Sequence, residues 1–144
     1  MTTQPFPLAD MPDSPLVTML LIAYRQADTV REAIKGALAQ TYSPLEIIIS
    51  DDASDDNTWA QMQAAVADYH GPHKIRLNRN QVNMGIGAHL SHLVNMSEGR
   101  LFFVTAGDDV SLPYRCEKVV GAWAASGYKL DLIASALVDL DENG

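Results

Sequence analysis

Two continuous apolar runs of strand length constrain the fold of this chain more than any other feature of its sequence. They cover residues 16–23 (LVTMLLIA) and residues 45–50 (LEIIIS). A strand that is apolar at successive positions, rather than at alternate ones, is typical of a strand buried on both faces of its sheet. Because that burial is characteristic of parallel sheets, the two runs predict a parallel sheet between layers of helices.

Helical patterns lie between the strand patterns. The first helix begins at a Thr29-x-x-Glu32 capping box and runs to about Gln40. The same kinds of spacing predict helices over residues 59–69, over residues 87–96 and from Ser111 through Trp123, and strands over residues 73–79, 101–105 and 130–140. Strands that alternate with helices imply right-handed crossovers. We therefore predict an α/β protein with a three-layer, Rossmann-like, mostly parallel sheet.

Length and charge limit the number of domains and the classes of partner. The 144 residues suit one domain, which we place at residues 15–144, after a flexible, proline-rich lead-in over residues 1–14. The net charge of -8 has the wrong sign for nucleic acid. The longest apolar stretch is about half of the roughly 20 residues that span a bilayer, so no transmembrane segment is predicted. With Cys116 as its one cysteine, the chain is expected in the cytoplasm, with peripheral membrane association open for the full protein.

Polar residues follow three of the predicted strands. The first strand runs into Ala23-Tyr24-Arg25, the second into Asp51-Asp52 and the fourth into Asp108-Asp109. In an open α/β sheet, ligands bind outside the carboxyl ends of the strands, near the point where the strand order reverses. Clustered carboxylates repel one another unless a cation stands between them, and oxygen ligands suit Mg²⁺ or Mn²⁺. The spacing therefore predicts a metal and phosphate site at this edge.

A purely structural role for the acid pairs is the competing interpretation. An Asp pair after a strand is often an Asx turn or a helix cap, and for Asp51-Asp52 alone the two interpretations are evenly balanced. Residues 55–58 can cap the second helix, and Ser111 can cap the fourth. Neither pair is then needed as a cap, which favours a binding site.

Four blocks of the sequence resemble the family 2 glycosyltransferases of the GT-A fold. They are residues 15–25, which resemble the opening strand; Gln40-Thr41-Tyr42 with residues 46–55, which resemble the Gln-Thr-Tyr turn and the Asp-Asp-x-Ser-x-Asp strand end; Asn83-x-Gly85 with residues 97–100; and residues 107–113, which resemble the metal motif. The blocks occur in the family's order and span most of the chain. The resemblance implies a GT-A nucleotide-sugar-binding domain.

The resemblance also implies roles for individual residues. Ala23, Tyr24 and Asp52 would line the base and ribose, and Asp108 would complete the nucleotide site. Asp108 and Asp109 would hold Mn²⁺ or Mg²⁺ on the diphosphate. The implied reaction transfers a sugar from a nucleotide sugar, expected to be a UDP- or dTDP-sugar, to a hydroxyl of a saccharide, lipid or other acceptor, with inversion at the sugar carbon.

The chain differs from the family at two places. Ala106 stands where the metal motif usually begins with an aspartate, and Leu90-Ser91 stands where the third helix often has Arg-Asn. His89 and His92 are three residues apart on that helix, a spacing that can present two metal ligands, but without a third ligand they are interpreted as partly exposed helix surface. A contact from either histidine in place of the missing donor contact is the other alternative.

Other functions remain open from the sequence. Complete GT-A domains are longer, and no acid after Asp109 is a convincing catalytic base, so this chain is expected to be the donor-binding portion, with weak or no transfer on its own. A non-catalytic nucleotide-binding or assembly module of the same fold is one alternative. A flavodoxin-like signalling receiver is another, but its paired acids follow the first strand, and here that strand ends in Ala-Tyr-Arg.

Overall fold

The computed structural model describes residues 14–135, and strands and helices alternate throughout them. The strands are β1 (Val17–Ala23), β2 (Leu45–Asp51), β3 (Lys74–Arg79) and β4 (Phe102–Ala106), and the helices are α1 (Val30–Leu38), α2 (Thr58–Val66), α3 (Ile86–Met96) and α4 (Arg115–Ala125). The four predicted strands that fall in this part of the chain are confirmed to within one residue at each end. The α/β class is confirmed as well.

The four strands form one parallel sheet in the order β3-β2-β1-β4. Val17 pairs with Leu45 on one side of β1, and Thr18 pairs with Phe102 on the other. The chain moves outward in one direction from β1 to β3 and then returns to the opposite side of β1 as β4. The strand order therefore reverses between β1 and β4, and this is the position where ligands bind in open α/β sheets.

Helices cover the sheet on both faces, as the continuous apolar strands predict. On one face Met19 and Leu21 belong to a core cluster that includes residues of α1, α2 and α4. On the other face Leu20 and Ile48 pack against Leu93 of α3. Successive strand residues point to opposite faces, so both sets of side chains are removed from water. The result is the predicted three-layer arrangement.

Two predicted helix caps are wrong. Thr29 is the N-cap residue of α1, but its side chain makes no capping hydrogen bond, and its hydroxyl instead lies 3.5 Å from the carbonyl oxygen of Gln26. Ser111 does not cap α4, which begins after Tyr114, and its hydroxyl accepts from Arg115. At the start of α2 an acidic side chain does accept a backbone hydrogen bond. The carboxylate of Asp56 accepts from the backbone N–H of Thr58 at 2.9 Å.

The predicted fifth strand is not found in the part of it that the structure describes. Residues 130–135 lie outside any strand, and Leu132 is 86% exposed. An apolar run becomes a strand only where a partner strand and a covering layer are available. Residues 136–140 of that prediction lie outside the described part of the chain, and so do residues 1–13 of the predicted lead-in.

Candidate functional site

The carboxyl ends of β1, β2 and β4 meet at one edge of the sheet, which we call the rim. The backbone N–H of Asp52 donates to the carbonyl oxygen of Ala23 at 2.9 Å. On the other side of β1, the N–H of Gly107 donates to the carbonyl oxygen of Ile22, also at 2.9 Å. These bonds continue the sheet one step past its strands. The structure thus brings together the three strand ends that carry the predicted site residues.

Gly107 allows the β4–α4 loop to pass close to the β1–α1 loop at the point of strand reversal. A Cβ atom added there would lie 2.7 Å from the Cβ of Ala23 and 2.6 Å from Oε1 of Gln26. Real Cβ contacts are longer, so any side chain at this position must push the two loops apart. Glycine is therefore required at position 107, because the centre of the candidate site has no space for a side chain there.

We predict that Gly107→Ala lowers the free energy of unfolding by about 1–3 kcal/mol, the usual cost of overpacking. Chemical denaturation of the variant and the parent chain measures this. Gly87→Ala is the matched control, because an added Cβ at Gly87 meets nothing within 4 Å. Equal losses in both variants would show that the close approach at Gly107 is not what matters.

Asp108 and Asp109 directly follow Gly107, and both are exposed. Within residues 14–135 neither carboxylate forms an ion pair or a side-chain hydrogen bond, although the backbone N–H of Asp109 donates to Ala106 at 3.1 Å. The described residues contain no group of three or more His, Cys, Asp or Glu that could hold a metal ion. Two free carboxylates nevertheless fit Mg²⁺ or Mn²⁺, which use one or two carboxylates and complete their coordination with phosphate oxygens and water.

The two acids at the end of β2 have different partners. Asp51 is fully buried and accepts from the backbone N–H of Ser54 at 3.1 Å and from Nε of Arg79 at 3.2 Å. This is the turn-forming role that the competing, purely structural interpretation assigns to an Asp pair after a strand. Asp51 therefore shapes the loop after β2 and does not face the rim.

Asp52 organises the loop between β3 and α3. It is 4% exposed, and its Oδ1 accepts from Nδ2 of Asn80 and from the backbone N–H of Met84, each at 2.8 Å. Its Oδ2 accepts from the backbone N–H of Gly85 at 2.9 Å. Burial by itself raises the pKa of Asp52, but these hydrogen bonds outweigh it and hold the pKa below its ordinary value. The carboxylate is therefore ionised and surrounded by donors.

Tyr24 stands at the rim, 41% exposed, with one face of its ring against Arg25. The guanidinium carbon lies 5.2 Å from the ring centroid. Arg25 adopts a positive φ of 52°, its backbone N–H donates to Oγ of Ser54, and its guanidinium makes two hydrogen bonds to Asp55 at 2.8 and 2.6 Å. These contacts tie the β1–α1 loop to the β2–α2 loop and leave the other parts of the Tyr24 ring facing solvent.

Gln40 and Thr41 anchor the segment that follows the exposed acid pair. Nε2 of Gln40 donates to the carbonyl oxygen of Leu112 at 2.8 Å, and Oε1 of Gln40 accepts from the backbone N–H of Cys116 at 3.0 Å. The backbone N–H of Thr41 donates to Pro113 at 2.8 Å. The sequence shows these residues only as part of a family motif. Their physical role is to fix the β4–α4 loop.

His89 and His92 lie in different environments. His92 is exposed, as predicted, but the prediction is wrong for His89, which is 1% exposed and lies beneath the rim. Nε2 of His89 is 2.6 Å from Oγ of Ser50, and Nδ1 is 4.0 Å from Oδ2 of Asp52. In this conformation the ring of His89 lies between Ser50 and Asp52, beneath the rim.

A parallel sheet with free carboxylates where the strand order reverses is typical of nucleotide-binding α/β proteins. The comparison with known families specifies the class further. The model of glycosyl transferase family 2 matches residues 18–141. The chain belongs to this family, as the resemblance in the sequence implies.

Curated relatives carry the same assignment. The chain is 31% identical over 134 residues to a putative glycosyltransferase, EpsE, of Bacillus subtilis (strain 168), covering 93% of this chain and 47% of the relative. It is 32% identical over 127 residues to the succinoglycan biosynthesis protein ExoO of Rhizobium meliloti (strain 1021), covering 88% of this chain and 35% of the relative. The chain thus spans less than half the length of either relative.

Solved structures share the fold at lower identity. The mannosyltransferase PcManGT from Pyrobaculum calidifontis, in complex with GDP-Man and Mn²⁺, matches with a TM-score of 0.61 and 22% identity over 70% of this chain and 32% of that one. TarS 1-349 of S. aureus in complex with UDP matches with a TM-score of 0.66 and 15% identity over 76% of this chain and 32% of that one. These likenesses establish the GT-A fold.

No helix within residues 14–135 is long and apolar enough to cross a membrane.

Proposed function

We propose that this chain binds the nucleotide sugar and the divalent ion of a glycosyltransferase that transfers the sugar to an acceptor hydroxyl. The observation that carries the proposal is the exposed, unpaired Asp108-Asp109 pair beside Gly107, where the strand order reverses. A net charge of -8 otherwise repels a diphosphate, so a cation between these carboxylates and the phosphates is needed for binding.

In this proposal Asp108 and Asp109 hold Mn²⁺ or Mg²⁺, and Asp108 also lies against the nucleotide. An ion held by these two carboxylates would supply Lewis-acid neutralisation of the charge on the departing diphosphate. Ala23 and Tyr24 line the base and ribose from the end of β1. The exposed part of the Tyr24 ring offers an apolar surface to the base, and the ionised Asp52 offers a carboxylate acceptor to a base N–H.

The donor is proposed to be a UDP- or dTDP-sugar, and GDP-sugars are the donors with which these are to be compared. Solved structures of the same fold contain UDP, UDP-GlcNAc or GDP-Man, which supports a nucleoside diphosphate sugar and leaves the base to be measured. Inversion at the sugar carbon, a saccharide or lipid acceptor and a cytoplasmic location belong to the same proposal.

Calorimetric titration with UDP, dTDP and GDP tests the proposal. We expect at least one of them to bind at least about tenfold more tightly with Mn²⁺ than with EDTA, because the ion removes the repulsion between phosphate and carboxylate. Asp109→Asn should abolish this metal-dependent gain, and its metal-free affinity should not fall, because the substitution removes one of the repelling charges. Glu117→Gln, an exposed acid on α4, is the control and should retain the gain.

Two results would contradict the proposal. One is equal affinity with Mn²⁺ and with EDTA for every nucleotide that binds. The other is an undiminished metal-dependent gain in Asp109→Asn, which would place the ion elsewhere. The alternative of a non-catalytic module of the same fold is tested separately, by sugar transfer from the preferred donor in the full-length protein.

A further inference from the structure

A set of polar contacts lies beneath the rim and ends at Asp52. Nδ2 of Asn78 donates to Oγ of Ser50 at 2.8 Å and to Oδ1 of Asn80 at 3.0 Å. Nδ2 of Asn80 donates to Oδ1 of Asp52 at 2.8 Å. On the other branch Oγ of Ser50 lies 2.6 Å from Nε2 of His89, whose Nδ1 faces Oδ2 of Asp52 at 4.0 Å. The two branches start at one amide and reach the two oxygens of one carboxylate.

We propose that His89 is a positioning residue for Asp52 and that it acts as the tautomer with the proton on Nδ1. The hydroxyl of Ser50 accepts from Asn78, so its own hydrogen is available for Nε2 of His89. At the other end of the ring, a lone pair on Nδ1 facing the carboxylate would be repelled, whereas an N–H is attracted. The Ser50 end accommodates this tautomer, and the Asp52 end selects it.

This tautomer keeps Asp52 surrounded by donors only. The carboxylate accepts hydrogen bonds from Asn80, which follows β3, and from Met84 and Gly85 before α3, and the Nδ1–H of His89 on α3 faces it at 4.0 Å. Its orientation is then fixed, and it remains an acceptor for a ligand N–H. This inference rests on the proposed function, because it gives Asp52 the role of contacting the nucleotide base.

The environment of the ring keeps His89 uncharged near neutral pH. Burial lowers the pKa of His89, an effect that the charges of Asp52 and Asp51 oppose and that a charge on His92 adds to. The ring is therefore a neutral hydrogen-bonding group between Ser50 and Asp52. A packing role alone would require only its volume beside Leu93 and Ile48.

Two substitutions separate the two ring nitrogens. His89→Asn places an amide where Nδ1 stands, so it keeps a donor toward Asp52 and loses the contact with Ser50. His89→Gln places the amide where Nε2 stands, so it keeps the contact with Ser50 and loses the donor toward Asp52. His92→Gln, on the exposed face of the same helix, is the control.

We expect His89→Gln to raise the Kd of the tightest-binding nucleoside diphosphate, measured with Mn²⁺, by about 3- to 10-fold, because an N–H that faces a carboxylate at 4.0 Å contributes less than a direct hydrogen bond to a charged group. His89→Asn and His92→Gln should stay within about 2-fold of the parent chain. In an Asp52→Asn background the effect of His89→Gln should vanish, since His89 acts through that carboxylate. Equal losses in His89→Asn and His89→Gln, or an unchanged loss in the Asp52→Asn background, would overturn the positioning role.

Nuclear magnetic resonance tests the same inference without a nucleotide. Nitrogen-15 spectra of the imidazole should show His89 protonated on Nδ1, and the pKa of Asp52 should rise in His89→Gln but not in His89→Asn. Protonation on Nε2 would overturn the inference. If no nucleotide binds the parent chain, the proposed function fails, and these spectra still decide whether His89 holds Asp52.

Discussion

Replacing Glu46 with alanine is expected to lower the free energy of unfolding by about 3 kcal/mol, because several buried or half-buried donors lose their acceptor at once. The Glu46 side chain is fully buried on β2. Its Oε1 accepts from Oγ1 of Thr18 at 2.9 Å and from the N–H of Glu98 at 3.0 Å, and its Oε2 lies 3.3 Å from Nη1 of Arg76. For a domain with an ordinary total of about 5–15 kcal/mol, this is a large fraction.

These contacts join β1, β2 and β3 to the connection between α3 and β4. The same connection is held by Gly99, whose N–H donates to Oγ1 of Thr18 at 3.0 Å and where an added Cβ would lie 2.5 Å from the backbone nitrogen of Thr18. Burial by itself raises the pKa of Glu46, but hydrogen bonds from Glu98, Thr18 and Arg76 outweigh it and lower the pKa. Glu46 is therefore an ionised group that fixes this connection.

The measurement is urea denaturation of Glu46→Ala, with Glu98→Ala as its matched control. Glu98 is 56% exposed, and its ion pair with Lys74 at 2.7 Å lies on the surface. Removing such a pair is expected to cost no more than about 1 kcal/mol. Glu46→Gln keeps an acceptor of the same shape and should fall between the two. A loss below about 1 kcal/mol in Glu46→Ala would contradict the role assigned to its hydrogen bonds.

The order of strands and helices could be predicted because each element has its own local pattern of apolar residues in the sequence. The runs that form β1 and β2 are apolar at successive positions, and this pattern requires two covered faces wherever the chain lies. The shared edge of the strand ends could be predicted as well, since parallel strands have their carboxyl ends on one side of the sheet. The fifth predicted strand is absent over residues 130–135, the part of it that the structure describes, because an apolar run does not specify which neighbour it pairs with.

The different roles of Asp51 and Asp52 could not be read from their identity. Adjacent strand residues point to opposite faces, so Asp51 turns toward Ser54 and Arg79 while Asp52 turns toward α3 and the loop before it. The partners lie up to 33 residues away along the chain. One local signal was available. Ser50 and Asp52 are two residues apart and so share the face of the sheet that α3 covers, where His89 lies between them.

Lowering the pH from 7 to 5 is expected to destabilise the fold through two buried histidines. Burial lowers the pKa of His73, more than its contact with the carbonyl oxygen of Gln40 raises it. Burial likewise lowers the pKa of His89. His73 is 7% exposed, and its Nδ1 has no hydrogen-bond partner among the residues of the described chain. Both rings therefore bind a proton less readily in the folded state than in the unfolded chain.

The sign of the effect follows from proton binding. In the unfolded chain each histidine takes up a proton as the pH falls below about 6.5, whereas the folded chain resists this uptake. Stability must then fall with pH, by at most about 1.4 kcal/mol per pH unit for each histidine. Glu46 and Asp52 have lowered pKa values, so their contributions are lost only below about pH 4.5, the ordinary range of carboxyl groups. The interval between pH 6.5 and pH 5 therefore reports on the histidines.

Urea denaturation at half-unit steps between pH 7.5 and pH 5 measures the slope of stability against pH. Substitutions then identify the histidines that cause the slope. The double variant His73→Gln and His89→Asn should lose most of the pH dependence, whatever its stability at pH 7.5. A double variant at the exposed histidines, His70→Gln and His92→Gln, should keep the parent slope. A parent slope near zero would mean that one or both buried rings accept a proton without unfolding, and the full slope persisting in His73→Gln and His89→Asn would place the titrating groups elsewhere in the chain.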